Sequence, residues 1–171
     1  EEARYVMIVT RKGRAKRVDL KKFDSVRPSG LIAICLYEGD ELGWVRLTQG
    51  LDEIIVVTEQ GQGIRFDEND VRPMGRTAAG VIGIRLNEGD QVTMADVVEP
   101  GGKLFLASQS GFGRCTNLDE FRTQNRAGKG VRAYSVTRKT GPVVDGSVVQ
   151  DGDEITLMSE GGIVLRTEVE R

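Results

Sequence analysis

Val9-Thr10-Arg11-Lys12-Gly13-Arg14-Ala15-Lys16-Arg17-Val18 recurs, loosely, three more times along the chain. The further copies are Val57-Thr58-Glu59-Gln60-Gly61-Gln62-Gly63-Ile64-Arg65-Phe66, Ala107-Ser108-Gln109-Ser110-Gly111-Phe112-Gly113-Arg114-Cys115-Thr116 and Met158-Ser159-Glu160-Gly161-Gly162-Ile163-Val164-Leu165-Arg166-Thr167. Each has Thr or Ser, two polar or small residues, then Gly. The aligned glycines Gly13, Gly61, Gly111 and Gly162 stand 48, 50 and 51 residues apart, and three copies place Arg four residues later, at Arg17, Arg65 and Arg166. A fixed period of this length is the signature of a repeat architecture.

A second landmark comes at the same period. Gly30-Leu31-Ile32-Ala33-Ile34, Gly80-Val81-Ile82-Gly83-Ile84 and Gly130-Val131-Arg132-Ala133-Tyr134 are fifty apart, and the first two lead to Glu38-Gly39-Asp40 and Glu88-Gly89-Asp90. The third departs at Thr140-Gly141-Pro142. Ile54-Ile55-Val56-Val57, Lys103-Leu104-Phe105-Leu106 and Glu154-Ile155-Thr156-Leu157 are β-rich runs bounded by turn residues. The Gly-centred turn makes each a hairpin with the next strand. The Gly-Val-Ile-Gly-Ile type run reads as a third strand, and Trp44-Val45-Arg46-Leu47 or Val92-Thr93-Met94-Ala95 as a fourth. Four short strands in about fifty residues make one propeller blade. The expectation is a single all-β domain with repeats at about 5–50, 51–101 and 102–152 and a partial one at 153–171, the last stopping at Arg171. The 22 glycines serve its many turns.

The rest of the composition narrows the chemistry. The 171 residues suit one domain or a piece of a larger protein, and the opening Glu1-Glu2-Ala3-Arg4, which runs straight into a strand, reads as a cut boundary. No apolar run is long enough to span a membrane, and no signal-peptide pattern opens the chain. The two cysteines, Cys35 and Cys115, lie far apart, which suits a reducing cytosol. With no histidine and no Cys-x-x-Cys, a metal centre or a general base is not expected. Glu38-Gly39-Asp40 and Asp151-Gly152-Asp153 read as acidic turns rather than calcium loops, since the ligand set is incomplete. Tyr5, Tyr37, Tyr134 and Trp44 read as core, and nine aromatics in all disfavour base stacking as a binding mode.

Charge is sorted along the repeat. The net charge of −2 argues against nucleic acid. Yet the four repeats carry +4, −6, +4 and −3 in turn. Arg11 to Lys22 holds seven basic residues and one acid, Phe121 to Val144 holds six and none, and Val71 to Asn87 holds Arg72, Arg76 and Arg85 and none. The acids gather at other turns. A single charge run is ordinarily a solvated face, but recurrence at one repeat phase points to a positive band for phosphates. The stretch Gln124-Asn125-Arg126-Ala127-Gly128-Lys129-Gly130 fits a phosphate-cradling turn or a plain exposed turn, and Met74-Gly75-Arg76-Thr77-Ala78-Ala79-Gly80 is its counterpart one repeat earlier.

The repeat, the Gly-x-x-x-Arg hairpins, Val71-Arg72-Pro73-Met74-Gly75, Gly80-Val81-Ile82-Gly83-Ile84-Arg85-Leu86 and Glu88-Gly89-Asp90 closely resemble the C-terminal domain of the DNA gyrase A subunit over essentially the whole chain. The resemblance implies a β-pinwheel, in which propeller-like blades exchange strands with their neighbours. It implies a non-catalytic module that binds double-stranded DNA on a basic outer rim and bends it into a wrap supporting negative supercoiling. The implied partners are the gyrase B subunit together with the rest of the gyrase A subunit, in an A2B2 heterotetramer, in the bacterial cytoplasm at the nucleoid. ATP and magnesium belong to that holoenzyme, with no cofactor in this chain. The rim role is carried onto Arg14, Lys16, Arg17, Lys21, Lys22, Arg65, Arg72, Arg76, Arg114, Arg122, Arg126, Lys129 and Arg132, although Arg17, Arg65 and Arg166 also fit pairing with acids inside each blade.

Two departures stand out. The family's full domain has about six blades, and this chain holds about three and a half. The family's basic box, Gln-Arg-Arg-Gly-Gly-Lys-Gly, is absent, with Gln124 to Gly130 a degenerate echo, so the expectation is DNA binding without wrapping. An incomplete fourth copy leaves an open strand edge for self-association. The alternatives are a protein-interaction propeller and the related C-terminal domain of topoisomerase IV.

Overall fold

The computed structural model describes residues 2–169; the last two positions of the fourth repeat lie outside the described residues. Among the described residues, thirteen strands and three short 3-10 turns make up the regular structure. They are β1 (Tyr5–Thr10), β2 (Arg14–Asp19), β3 (Leu42–Thr48), β4 (Glu53–Thr58), β5 (Gln62–Asp67), β6 (Val81–Ile82), β7 (Val92–Val97), β8 (Lys103–Ser108), β9 (Gly113–Asn117), β10 (Val131–Arg132), β11 (Val143–Val149), β12 (Glu154–Met158) and β13 (Val164–Glu168).

The Thr/Ser-x-x-Gly signature closes the hairpins. The Gly13 N–H donates to the Thr10 carbonyl at 3.0 Å, and the Arg14 N–H donates to Thr10 Oγ1 at 3.1 Å. Thr58, Ser108 and Ser159 accept the same two bonds from Gly61 and Gln62, Gly111 and Phe112, and Gly162 and Ile163. The four glycines have φ between 81° and 89°, which an L side chain adopts only with strain. The Glu-Gly-Asp turn buttresses this hairpin. Asp40 Oδ1 accepts from the Lys12 N–H at 3.0 Å, and Asp90 Oδ1 accepts from the Gln60 N–H at 3.0 Å.

Strand order shows the exchange. The first sheet runs β3-β1-β2-β6 and the second β7-β4-β5-β10, so each blade is completed by a two-residue strand from the next repeat. Among the described residues the third sheet, β11-β8-β9, has no such strand, and β12-β13 stands as a separate hairpin. In the first repeat the run Gly30–Ile34, expected as a strand, forms none. A strand there needs an acceptor edge, and the edge of its own blade is already taken by β6.

The core lies between blades. Met7 and Val9 of β1, Ile54 and Val56 of β4, and Ala15, Phe66, Ile84 and Ala95 form one cluster, with Trp44 packed against it. Ile55 and Val57 of β4 form the other with Leu104, Leu106, Met94, Phe121 and Tyr134. Alternate residues of β4 thus face opposite blades, which is why Ile54 to Val57 is continuously apolar. β12 alternates Ile155 and Leu157 with polar residues, and only those two are half-buried. Tyr134 is core, Tyr5 is half-buried, and Tyr37, expected in the core, is 56% exposed. Tyr37 comes after the unpaired run and lies under the Arg14 guanidinium instead.

A buried ion pair joins the first two blades. Arg17 on β2 donates through Nη1 to Glu68 Oε1 at 2.9 Å and through Nε to the Val71 carbonyl at 2.8 Å. Glu68 also accepts from Thr48 Oγ1 and from the Gly50 and Asp52 N–H groups. One carboxylate therefore holds β2, β3 and the entry to β4.

Replacing Glu68 by Leu leaves the Arg17 charge buried without its partner and should cost about 3–5 kcal/mol in chemical denaturation, with the Arg17→Leu/Glu68→Leu double variant costing less than the single change. Gly130 has φ 75°, and a Cβ there would overlap the Gly63 carbonyl. Gly130→Ala should therefore lose more than about 2 kcal/mol by the same measurement. The Arg65 hydrogen bond, and secondarily that of Thr123, hold the Glu53 carboxyl below its usual range against a smaller opposing effect of burial. Its contribution is then present above the unfolded carboxylate pKa of about 4.3 and is lost as pH falls through the lower folded value. Glu53→Gln should flatten the acid limb of a stability-against-pH curve.

Candidate nucleic-acid interface

Each blade has two distinct edges. β3, β7 and β11 stack on one another, and Arg46 Nε on β3 donates to Asp96 Oδ1 on β7 at 3.1 Å while the Val148 N–H of β11 donates to Asp96 Oδ2 at 3.0 Å. The opposite edge carries β2, β5 and β9, the exchanged strands, and the loops after each 3-10 turn. The thirteen basic residues expected on the rim lie at or near this second edge, but they divide sharply by what their side chains touch.

Six of them are engaged within the protein. Lys16 is fully buried, with Nζ donating to the Ala33 carbonyl at 2.7 Å and to the Arg76 carbonyl. Burial pulls its pKa down. Arg17 is the buried partner of Glu68. Arg65 Nε pairs with Glu53 Oε2 at 2.6 Å, and its Nη1 donates to the Leu118 carbonyl. Arg14 donates to the Gly80 carbonyl at 2.8 Å. Arg76 donates to the Ile32 carbonyl at 3.2 Å, and Arg126 donates to the Ile82 carbonyl at 3.0 Å and the Asp70 carbonyl at 2.9 Å. Both latch a loop onto the exchange segment of the preceding repeat. Arg166 pairs with Glu154 within the last hairpin.

The other seven, Lys21, Lys22, Arg72, Arg114, Arg122, Lys129 and Arg132, are exposed, and none makes a side-chain hydrogen bond or ion pair among the described residues. Lys22, Arg72 and Arg122 stand fifty residues apart, each at or just after the 3-10 turn closing the outer strand. The turn forms because Asp19 and Asp67 accept a bond from the N–H two residues on, which reverses the chain at that corner. Arg85 and Arg138 are also exposed, and the expected rim did not include them. An open groove of about 710 Å³ beside the third corner is lined by Arg122, Gln124, Asn125, Gly128 and two acids, Asp67 and Asp70.

Among the described residues no cluster of three His, Cys, Asp or Glu side chains is arranged to hold a metal ion, and no helix is long and apolar enough to cross a membrane.

The sequence and fold match known proteins. A family profile described as the DNA gyrase C-terminal domain, beta-propeller, matches residues 4–48, 52–99 and 102–150. The chain is 41% identical over 167 residues to the DNA gyrase A subunit of Aminobacterium colombiense and 40% identical over 169 residues to that of Escherichia coli K12. These alignments cover 98% and 99% of this chain but only 20% and 19% of the relatives. The chain thus spans about a fifth of the length of the curated relatives it matches. The C-terminal domain of DNA topoisomerase IV superposes with a TM-score of 0.92 at 32% identity, covering 99% of this chain and 53% of that one. The DNA gyrase A C-terminal domain superposes with a TM-score of 0.88 at 27% identity, covering all of this chain and 59% of that one. The strand exchange, the repeat signatures and these matches agree: the chain belongs to the DNA gyrase C-terminal domain family, with the β-pinwheel of the gyrase A type.

Proposed function

We propose that this chain is a non-catalytic module that binds duplex DNA along its outer edge through phosphate contacts and bends it. The recurrence of Lys22, Arg72 and Arg122 carries the reading. One unengaged cation at the outer corner of each of the three repeats, Lys22 within its 3-10 turn and Arg72 and Arg122 two residues after theirs, offers a curved track of positive charge to a phosphate backbone. Lys21, Arg114, Lys129 and Arg132 widen the track. Base reading has no obvious instrument here, so specificity rests on DNA deformability.

In the whole gyrase this module supports negative supercoiling by presenting a bent segment to the strand-passing core. It works there beside the B subunit, with the rest of its own A subunit, in an A2B2 assembly. Cleavage, ATP and magnesium belong to those other parts.

Binding to a random duplex across a salt series tests this. Affinity should fall steeply with salt, and Lys22→Ala/Arg72→Ala/Arg122→Ala should lower the log–log slope by roughly 2–3, about 0.9 per lost phosphate contact. Each of these residues is exposed, so the variant should keep the parent's thermal unfolding. No binding at low salt, or binding indifferent to the triple change, would sink the proposal.

A further inference from the structure

Arg17 and Arg65 each reach across to the following blade, and both arrive where an outer cation stands. Arg17 Nε donates to the Val71 carbonyl at 2.8 Å, and the Arg17 carbonyl accepts from the Met74 N–H at 2.9 Å. Arg65 Nη1 donates to the Leu118 and Phe121 carbonyls at 3.0 and 3.4 Å, and the Arg65 carbonyl accepts from the Gln124 N–H at 2.7 Å. Isolated parallel bridges set Arg17 beside Pro73 and Arg65 beside Thr123. Side chain and main chain of one arginine thus grip residues 71–74, and those of the other grip residues 121–124.

Each grip encloses one exposed cation. Val71 and Phe121 are buried, Arg72 and Arg122 follow them into solvent, and the next two residues are tied back to the arginine's main chain. The gripping side chains are themselves braced by acids. Arg17 is held by Glu68, and Arg65 Nε donates to Glu53 Oε2 at 2.6 Å. Thr123 Oγ1, next to Arg122, donates to the same Glu53 oxygen at 2.6 Å. A planar guanidinium suits this task, because its fixed fork serves a carboxylate and a carbonyl together. The two enclosed cations also border one hollow: Arg72 lines a pocket of about 190 Å³ and Arg122 the groove of about 710 Å³, and Asp70 and Arg126 line both.

We propose that Arg17 and Arg65 are positioning residues of the DNA edge, each fixing the corner of the following blade so that Arg72 and Arg122 meet the phosphate backbone already ordered. The inference rests on the phosphate-binding reading given above. Neither arginine is placed to touch DNA itself, since Arg17 is 3% exposed and the Arg65 side chain 15%. Their contribution is the ordering cost that a loose corner would otherwise pay on binding. Because each grip runs from one blade to the next, the spacing of successive phosphate contacts is set by contacts between blades.

The test is a cycle of variants in duplex binding across a salt series, with thermal unfolding recorded for each. Arg122→Ala should lower the log–log slope by about 0.9, one phosphate contact. Arg65→Met should lower it by the same amount, and Arg65→Met/Arg122→Ala should fall no lower than Arg122→Ala alone, since both changes remove one contact. Arg65→Lys, which keeps the charge without the fork, should behave as Arg65→Met. Should Arg65→Met fail to fold, Thr123→Val loosens the same corner by a single bond and should weaken binding, while Thr123→Ser restores it. Without DNA, in a chain with both native cysteines changed to Ser, a nitroxide on Arg122→Cys should gain mobility when Arg65→Met is added. Slopes that add in the double variant, or a parent slope kept by Arg65→Lys, would overturn the positioning role and make Arg65 a direct phosphate contact. An unchanged nitroxide would overturn it too. An Arg122→Ala slope equal to the parent's would overturn the phosphate reading at this corner and this inference with it.

Discussion

The carbonyls of two hairpin glycines, Gly13 and Gly61, hold the first two blades in order. Each accepts two N–H groups from the next repeat, and the positive φ that aims it is open to glycine at little cost. Because the strand that completes a blade comes from its successor, no repeat is finished alone. The two apolar clusters lie between blades for the same reason, and β4 is buried on both faces by being shared. Stability is therefore a property of adjacent pairs, as in other repeat architectures. Burial follows the exchange among the described residues: β9, with no exchanged strand beside it there, is almost wholly exposed, whereas β2 and β5, which have one, are largely buried or half-buried.

A second regularity sits at the far end of the same hairpins. The arginine four residues past the glycine always meets the first residue of the preceding strand or its neighbourhood, and the partner changes from copy to copy. Arg17 lies over the Tyr5 ring at 4.4 Å, Arg65 pairs with Glu53, and Arg166 with Glu154. In the third copy Cys115 replaces the arginine and its strand runs beside the one that opens on Lys103, so an acid is no longer required at that place. A similar substitution runs across blades: Glu68, which neutralises Arg17, has Leu118 as its counterpart in the next repeat, and Arg65 accordingly turns to Glu53 and donates to the Leu118 and Phe121 carbonyls.

The period of about fifty, the hairpins and the fourth strands were legible because each rests on a local signal: a hydroxyl, a glycine, a run of β-branched residues. The exchange itself was legible only through the family likeness, since a strand of two residues such as Val81–Ile82 carries no periodicity of its own. That also explains Gly30–Ile34, whose sequence matches its counterparts and whose state depends on an edge elsewhere. The sorting of the basic residues was legible only at Arg17, Arg65 and Arg166, whose place in the repeat fits pairing with acids, and all three do pair with one, Arg65 and Arg166 within their own hairpins and Arg17 with Glu68 of the next repeat. Lys16 and Lys22 are both lysines in one basic run, yet one faces inward along β2 to two carbonyls while the other sits on the turn beyond it. The alternation along β2 does not separate them, because its middle residues are buried on both faces.

Net charge misleads in this chain because so many of the acids are spent on structure. Asp40 and Asp90 cap hairpin turns, Glu68 is enclosed by four donor groups, and Glu53 and Asp96 are each bound to an arginine or a backbone N–H. A carboxylate consumed in this way projects little field into solvent at the opposite edge, where screening limits reach to about 10 Å. Part of the basic complement is spent too, on carbonyls and ion pairs. What reaches the solvent at the outer corners is a residual set that includes Lys22, Arg72 and Arg122, one at the corner of each blade. The sign that a partner meets is thus set by which charges the fold leaves unengaged, and the blade repeat leaves the cations on the edge where the strands are exchanged.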